Sequence, residues 1–254
     1  MTLDPYKQTL YVVWGNQILF ILASIFAPSL LMIPLAIVGL YVFGFMSEAS
    51  VHRYFTHKSY TTTPFKEKIL RVFAILTGQG ATISWVTVHR THHAYEDQPG
   101  DPHSPMHRSW IKILLGLFPN NYKKTIVMDL MRSKSWKYYV WENQYYWLIW
   151  TAIWVVSFLI NFYLFYFIVA GCAAWYLATV AVNIFNHTGS FGEKHYDDSV
   201  ATNSKIMNLL TGAGHHNNHH KNPRSHTYSM NGEIDVYGTL IEKLFMVKQD
   251  SNTA

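Results

Sequence analysis

Charge is scarce in this 254-residue sequence, because Asp, Glu, Lys and Arg make up only 14% of it, whereas an average soluble domain contains about 25%. Residues 8–47 and 143–192 contain none of these four residue types. The composition argues against a disordered segment, a collagen-like fibre and an ordinary soluble enzyme. It predicts an integral membrane protein that crosses the bilayer several times.

Cysteine is also nearly absent. The one cysteine, Cys172, lies within an apolar run. A single thiol can build neither a disulfide framework nor a thiolate metal site.

The net charge of +5 comes from basic residues that lie almost entirely beside the charge-free stretches. Lys and Arg collect in this way on the cytoplasmic side of membrane proteins. Membrane orientation therefore accounts for the basic surplus, and we expect no nucleic-acid partner.

Each charge-free stretch is too long for a single crossing, since a helix needs only about 20 residues to span the hydrocarbon layer. Pro28 offers a break in the first stretch, and a turn around Asn161 would divide the second. We therefore expect an all-α fold with four transmembrane helices in two hairpins. The expected spans are residues 9–26, 29–50, 144–160 and 163–186.

Two hairpins return the chain to the side on which it began. Both termini and both polar blocks, residues 51–143 and 187–254, would then form one helical cap on the cytoplasmic side. Residues 69–88 contain Arg71 and Gln79 and are expected to be interfacial or partly re-entrant. The first apolar run is predicted to be retained rather than cleaved, and residues 1–254 are predicted to be a single domain.

Histidine is abundant: nine of the 14 histidines fall in three short clusters. The clusters are His52-Arg-Tyr-Phe-Thr-His57, His89-Arg-Thr-His92-His93 and His215-His216-Asn-Asn-His219-His220. Residues three and four apart share a helix face, so the histidines of the second cluster and the last three of the third cluster converge. His52 and His57 would diverge by about 140° on a regular helix, and they are expected where the second span unwinds.

Clustered neutral imidazoles suit iron, copper, zinc or nickel. Nine histidines exceed the needs of one ion, so two metals are predicted. A further pair, Asn183 and His187, lies four residues apart at the end of the last expected span. His107, His195 and His226 are expected to be surface or packing residues. His103 is intermediate between such a residue and a ligand. His215 lies off the favoured helix face of the third cluster and is left out of the ligand set.

With these motifs the chain resembles the membrane-bound fatty acid desaturases. The stearoyl-CoA, or Δ9, branch is the most similar, in the residues that flank the three clusters. They are His52-Arg53, Trp85-Val-Thr-Val-His89-Arg90-Thr-His92-His93, Asp101-Pro102-His103, Asn183-x3-His187 and Gly214-His215-His216.

The resemblance implies a di-iron centre that uses O2 as co-substrate. Its implied ligands are His52, His57, His89, His92, His93, Asn183, His187, His216, His219 and His220. No catalytic residue separate from these ligands is expected. Iron comes from the resemblance alone, since the residue types also admit zinc.

The chain departs from the family in its third box, where Ala213 stands in place of a usual glutamate and His215 in place of a frequent aromatic residue. Loss of that glutamate removes a hydrogen-bond acceptor for a ligand. Glu96, Asp97 and Asp101 follow the second box and are expected either to orient ligand imidazoles or to be surface carboxylates.

The implied reaction is insertion of a cis double bond into a long-chain fatty acyl substrate that is carried on CoA, a carrier protein or a membrane lipid. Gly44 and Trp85 are candidate substrate-binding residues, Gly44 because it would leave room for a tunnel. Electrons would come from a ferredoxin or a cytochrome b5, which could dock on a basic band. The band consists of Lys123, Lys124, Arg132, Lys134 and Lys137, and it could equally attract anionic membrane lipid.

Three alternatives stay open at this stage. A di-iron lipid hydroxylase or ketolase could use nearly the same residues. A membrane metal transporter or receptor is less favoured, because transporter sites usually lie near the middle of the bilayer. A catalytically inactive relative is a third alternative, in view of Ala213.

Overall fold

The computed structural model describes residues 4–118, 124–230 and 232–247. Throughout these residues the regular structure is helical, with isolated bridges that join Asn203 to Glu193 and to His215. The α-helices are α1 (Pro5–Phe26), α2 (Met32–Ser47), α3 (Pro64–Leu76), α4 (Thr82–Tyr95), α5 (Trp110–Leu114), α6 (Met128–Met131), α7 (Trp136–Ile160), α8 (Phe162–Phe185), α9 (Lys205–Thr211), α10 (His216–Lys221) and α11 (Val236–Leu244). The predicted all-α class is therefore confirmed.

Four long helices, α1, α2, α7 and α8, pack together as a bundle. Helix α8 lies between the others, and its buried residues include Val169, Ala170 and Cys172. Helix α2 approaches it closely at Gly39 and Gly171, where a Cβ on Gly39 would lie 2.8 Å from the Gly171 Cα. Small residues at such contacts let helix backbones pack tightly.

Among the described residues, three helical segments are long and apolar enough to cross a membrane: Pro5–Phe26, Met32–Thr56 and Phe162–Phe185. Helix α7 is 25 residues long but begins at Trp136, and its first half is rich in Tyr, Trp, Asn and Gln. It exposes Val155, Val156 and Phe158 on its outer surface. The count of four spans therefore stays a prediction.

The breaks within the bundle lie where the sequence indicated. Helix α1 ends at Phe26, just before Pro28, and Asn161 alone separates α7 from α8. Asn161 caps α8, because its side chain accepts hydrogen bonds from the backbone N–H groups of Tyr163 and Leu164.

The second span differs from the prediction. Helix α2 starts at Met32 rather than at residue 29, and it does not unwind near His52. It continues without interruption as a π-helix over Glu48–Thr56. The π-helix uses i to i+5 hydrogen bonds, such as that from His57 N to His52 O at 3.2 Å. Residues five apart therefore return towards one face, so His52 and His57 avoid the divergence of about 140° that a regular α-helix would impose.

Residues 69–88 contribute to two short helices rather than to one span. Helix α3 ends at Leu76, and α4 begins at Thr82 after a break that holds Gly78 and Gly80 at positive φ (69° and 120°). The break is packed inside the bundle, where Tyr146 donates from its hydroxyl to the Ile75 carbonyl and accepts from Gly80 N. Neither helix is long enough to span a membrane, and the interfacial or re-entrant placement of this segment stays a prediction.

Candidate metal centre

Nine histidines gather at the cap end of the bundle in two adjoining groups. The first group is His52, His57, His89, His93 and His219; the second is His92, His187, His216 and His220. Within each group the candidate ligand atoms lie within 4.8 Å of one another. The groups meet where the rings of His93 and His220 stack with centroids 4.4 Å apart. These are the nine histidines of the ligand set that the family resemblance implied, with His187 included and His215 left out, and their role as metal ligands stays a prediction.

Helices α4 and α10, which carry the second and third clusters, each serve both groups. On α4, His89 and His93 are four residues apart and belong to the first group, whereas His92 belongs to the second. On α10, His219 belongs to the first group and His216 to the second. The sequence predicted convergence within the second and third clusters but did not predict this division.

The Nε2 atoms of these histidines point at one another. In the first group, His219 Nε2 lies 3.1 Å from His52 Nε2 and 3.0 Å from His93 Nε2. In the second, His216 Nε2 lies 2.8 Å from His187 Nε2 and 3.1 Å from His220 Nε2. One N–H can serve only one such neighbour, so lone pairs face one another in both groups. A cation between them would remove this repulsion.

The spacing fits an ion that binds several nitrogens. Two imidazole ligands at right angles, each about 2.1 Å from a metal, have nitrogens about 3.0 Å apart. The donors are neutral nitrogens, which iron accepts, although the same donors would also accept zinc. The residues present therefore fit a pair of metal ions.

Four carboxylates meet four of these imidazoles at Nδ1. The pairs are Glu48 Oε1 with His52 (2.8 Å), Asp101 Oδ2 with His92 (2.8 Å), Asp97 Oδ2 with His187 (2.8 Å) and Glu96 Oε2 with His220 (2.9 Å). The first three are hydrogen bonds, while the last has the distance of an ion pair without hydrogen-bond alignment. A proton held on Nδ1 leaves the lone pair on Nε2 and fixes the ring. Glu96, Asp97 and Asp101 thus contact the imidazoles and are not isolated surface carboxylates.

Burial keeps most of the cluster neutral. Desolvation, reinforced by neighbouring imidazoles, lowers the pKa well below 6.5 for His57, His89, His92, His93, His216, His219 and His220. Burial also raises the pKa of Asp101 to about 6. Burial by itself would raise the pKa of Asp97 as well, but the hydrogen bond and charge of His187 hold that pKa below its ordinary value. Neutral imidazole is the form that binds metal.

Sequence reasoning missed a second layer that holds the first cluster in place. Tyr228 Oη lies 3.1 Å from His52 Nδ1 and donates to Glu48 Oε2. The fully buried Arg53 donates to Glu48 and to both carboxylate oxygens of Asp235, and its guanidinium lies 3.8 Å from the Tyr228 ring centroid. Glu48 was detectable, since it lies four residues before His52; Asp235 is 182 residues from Arg53 and left no local signal.

The two His-Arg pairs of the sequence have a common explanation. Each arginine follows a clustered histidine and anchors its helix to other parts of the chain. Arg90 donates to the carbonyls of Phe55, Thr56 and Ile126 and to both oxygens of Asp129. It thereby joins α4 to the end of the π-helix.

The remaining histidines lie outside the two groups. His107 bonds to the carbonyl of Asp97, His195 to the Asn218 side chain, and His226 is 4.0 Å from Glu242. His215 precedes α10 and is buried. His103 is buried against His92, with ring centroids 4.3 Å apart.

A cavity of about 570 Å³ runs from the start of α1 to the histidines. His52, His89, His216 and Asn183 form its inner end. Trp85 lies in its wall and stacks on His89, with ring centroids 4.7 Å apart. Ala213, which replaces the usual glutamate, also lines it.

A polar trio interrupts the apolar wall. Gln79 donates to Thr179 Oγ1 (3.1 Å) and accepts from Trp85 Nε1 (3.2 Å). Gly44 is not among the described residues that line the cavity, and it packs instead against Trp175 and Tyr237.

The basic band is described only in part. Arg132, Lys134 and Lys137 are exposed on the cap. Lys123 lies outside the described residues, as does the side chain of Lys124.

Comparison with known proteins gives a family match over most of the chain. A family model described as "Fatty acid desaturase" matches residues 16–230. An sn-2 palmitoyl-lipid 9-desaturase of Nostoc is 30% identical over 68% of the chain, and an acyl-CoA 5-desaturase of Anemone leveillei is 32% identical over 70%. A hex-5-enoyl-[acyl-carrier protein] acetylenase of Moorena producens is 49% identical over 22%. These matches cover 63%, 57% and 17% of the three relatives.

Proposed function

The chain belongs to the fatty acid desaturase family, and on that premise we propose that it is an O2-dependent fatty acyl desaturase. It would insert a cis double bond at the Δ9 position of a saturated acyl chain, at a di-iron centre. The likeness to the Nostoc 9-desaturase supports Δ9. The Anemone relative is named a 5-desaturase, so the position of the double bond has to be measured.

One arrangement carries this proposal: two groups of inward-facing imidazole nitrogens close the inner end of a long, largely apolar cavity. Bound there, an iron pair would supply the oxidising power that removal of hydrogen from an unactivated methylene requires. The first group would hold one iron. The second would hold the other, with Asn183 at the cavity wall as a further oxygen ligand.

The protein's own contribution is orientation. Glu48, Asp97 and Asp101 fix the Nδ1 protons of three ligands and so direct the Nε2 lone pairs inward. Because the surrounding histidines are buried and neutral, protonation does not compete with metal binding near neutral pH.

The cavity wall places the substrate and excludes water. An acyl chain that passes Trp85 lies one ring away from His89. Beside it, Gln79 donates to Thr179 and accepts from Trp85, and Thr179 donates to the Trp175 carbonyl, so the polar groups in this part of the wall bond mainly to the protein rather than to water. The position of the double bond would follow from how far a chain extends past this trio.

The reaction also needs electrons from outside the chain. Removing two hydrogens from adjacent carbons while O2 is reduced to two waters consumes two further electrons and two protons. A ferredoxin or cytochrome b5 would supply the electrons. The exposed residues Arg132, Lys134 and Lys137 support docking of such an acidic partner on the cap.

The membrane arrangement is proposed together with the activity. Helices α1, α2, α7 and α8 would be four spans of a single domain, with both termini and the metal centre on the cytoplasmic side. The position of all nine histidines at one end of the bundle supports this arrangement, and it disfavours a transporter site at mid-bilayer.

Fatty acid methyl ester analysis tests the function directly. The chain is expressed in a host that cannot make unsaturated fatty acids, and new monounsaturated chains with a cis Δ9 bond are expected. A cis bond at another position would refute Δ9 only. Hydroxylated or keto chains without unsaturation would refute desaturation in favour of the hydroxylase or ketolase alternative.

A further inference from the structure

We propose that a groove between the first turns of α1 and α7 is a side entrance to the cavity, through which the acyl chain of a membrane glycerolipid enters while its ester stays at the bilayer surface. This inference rests on the proposed desaturase function. It selects a lipid-linked substrate over a CoA or carrier-protein thioester.

The groove opens between two of the proposed spans. Pro5 and Gln8 form one side, Ile83 the back, and the start of α7 the other side. The contributing residues of α7 are Trp136, Tyr139, Val140, Asn143 and Gln144. The groove shares Pro5, Ile83, Trp136 and Asn143 with the main cavity. A chain lying in the groove therefore has only these shared side chains between itself and the cavity.

Hydrogen bonds between the helices fix the depth of the opening. Gln8 donates from Nε2 to the Asn143 carbonyl (3.0 Å) and accepts from Trp147 N (3.2 Å). Further along, Tyr11 and Thr151 are joined through their hydroxyls at 3.1 Å. From Gln8 onward α1 and α7 are tied together, so the opening is confined to the turn on the cap side.

That turn coincides with the expected edge of the hydrocarbon layer. The spans expected from the apolar stretches of the sequence begin at residues 9 and 144, next to the groove. Trp141 and Tyr145 are exposed beside it on α7 (48% and 37%), as aromatic residues are at membrane interfaces. The ester groups of glycerolipids occupy the same interfacial zone. The groove therefore faces the acyl ester of a lipid that remains in the bilayer.

The polar groups of the entrance suit a neutral ester. Ser84 donates to Asn143 Oδ1 (2.8 Å), which leaves the amide nitrogen of Asn143 as a donor for an ester carbonyl. Within the described part of the chain, the lining of groove and cavity contains Asp4 and Glu48 but no Lys or Arg. The several uncompensated phosphate charges of CoA would call for Arg or Lys, whereas a zwitterionic or uncharged lipid headgroup, which has no net charge, does not.

Competition between acyl donors tests the entrance. Full-length iron-loaded protein is reconstituted with an electron donor in bilayers of non-substrate diether lipid, with distearoyl phosphatidylcholine, stearoyl-CoA or stearoyl-carrier protein as the only acyl source. We expect the lipid to be desaturated at least tenfold faster than either thioester. Preferential desaturation of a thioester would overturn the proposal while leaving the desaturase function intact.

A pair of variants locates the route. Val140 is 43% exposed in the groove and Val155 is 53% exposed on the same helix, away from it. Val140→Trp should slow desaturation of the lipid at least fivefold, and Val155→Trp should not. Equal rates in the two variants would refute entry through the groove.

A labelling measurement that needs no catalytic turnover separates the proposed side entrance from the proposed desaturase function. A phosphatidylcholine with a photoreactive group in its acyl chain should label the peptides 5–8 and 136–144, and Val140→Trp should reduce that labelling severalfold. Labelling that is unchanged in Val140→Trp would overturn the entrance. If no donor is desaturated but the labelling behaves as expected, the desaturase function fails and the lipid groove stands.

Discussion

At the scale of single residues, the metal centre is defined by which nitrogen of each imidazole is left free. Three buried carboxylates hold Nδ1 protons, and the Nε2 atoms crowd together at 2.8–3.4 Å in the second group. Each residue of this set therefore has a role that a substitution can isolate.

Removal of a ligand should abolish the reaction. His92→Ala deletes a member of the second group and leaves Asp101 without its partner, so we expect no double bonds and a lower iron content by elemental analysis. The matched control is His226→Ala, because His226 is partly exposed and lies outside both groups. Equal losses in both variants would contradict the ligand assignment.

Replacement of an orienting carboxylate should weaken metal binding without removing a ligand. Asp97→Asn keeps the size of the side chain but no longer fixes the Nδ1 proton of His187 by charge. Loss of such a partner typically costs about 10- to 100-fold in metal affinity. Iron titration by chelator competition measures this, and Asp198→Asn, an exposed carboxylate beside Lys221, is the control. Unchanged affinity in Asp97→Asn would show that Asp97 does not orient the ligand.

At the scale of secondary-structure elements, the π-helix is the feature that joins membrane and metal. It continues α2 and turns His52 and His57 to the same side, with ring centroids 5.1 Å apart. Arg53 anchors it to the C-terminal segment through Asp235, and Arg90 anchors it to α4. These two arginines fix the relative position of the elements that carry the ligands.

Arg90→Lys should loosen this junction. A lysine cannot reproduce the forked contacts of a guanidinium with Asp129 and three carbonyls, and we expect a loss of about 1–3 kcal/mol. Thermal unfolding in detergent should show a Tm several degrees lower. Arg132→Lys, at an exposed position, should leave Tm unchanged, and a similar Tm for both variants would argue against the anchoring role.

Much of the element order was predictable from the sequence, because charge-free runs, Pro28 and Asn161 are local signals. Eight of the nine grouped histidines were predictable for the same reason, since they lie in the three clusters, and the ninth, His187, followed from the family resemblance. The π-helix was not predictable, since nothing in residues 48–56 marks an i to i+5 pattern. Glu96, Asp97 and Asp101 were candidates for orienting imidazoles, but the imidazole that each one contacts was not predictable, because the contacts depend on turns such as that at Asp97, whose φ is 53°, and on partners far apart in the chain.

At the scale of the whole molecule, the bundle and the cap form one continuous structure with the cavity between them. The single cysteine makes its membrane topology open to direct measurement. Cys172 is only 2% exposed, so the unmodified chain should react little with membrane-impermeant thiol reagents.

Cysteines introduced singly at Ser29 and Tyr163 should react with reagent added on the side of the membrane opposite the cytoplasm. Cysteines introduced at Lys137 and Lys194 should react from the cytoplasmic side. This outcome is expected because α1–α2 and α7–α8 would be two hairpins whose tips lie together, far from the cap. Labelling of all four positions from the same side would exclude the four-span arrangement.

Acid should destabilise the metal-free protein. Seven histidines have a pKa well below 6.5 when folded, so below about pH 6.5 the unfolded chain binds more protons and stability falls as pH falls. The raised carboxyls Asp101 and Glu96 act in the opposite sense but are outnumbered. Tm measured from pH 8 to 5 should decrease, and a flat profile would contradict neutral, buried imidazoles.

The facing lone pairs of the two histidine groups also affect how long the protein survives in a cell. Without a cation, each group stores repulsion that favours local opening of the cap, whereas bound metal stabilises the folded form in proportion to its concentration and affinity. Opened chains are substrates for proteases. The amount of this protein should therefore follow the iron supply even at constant synthesis, with metal-starved copies degraded first.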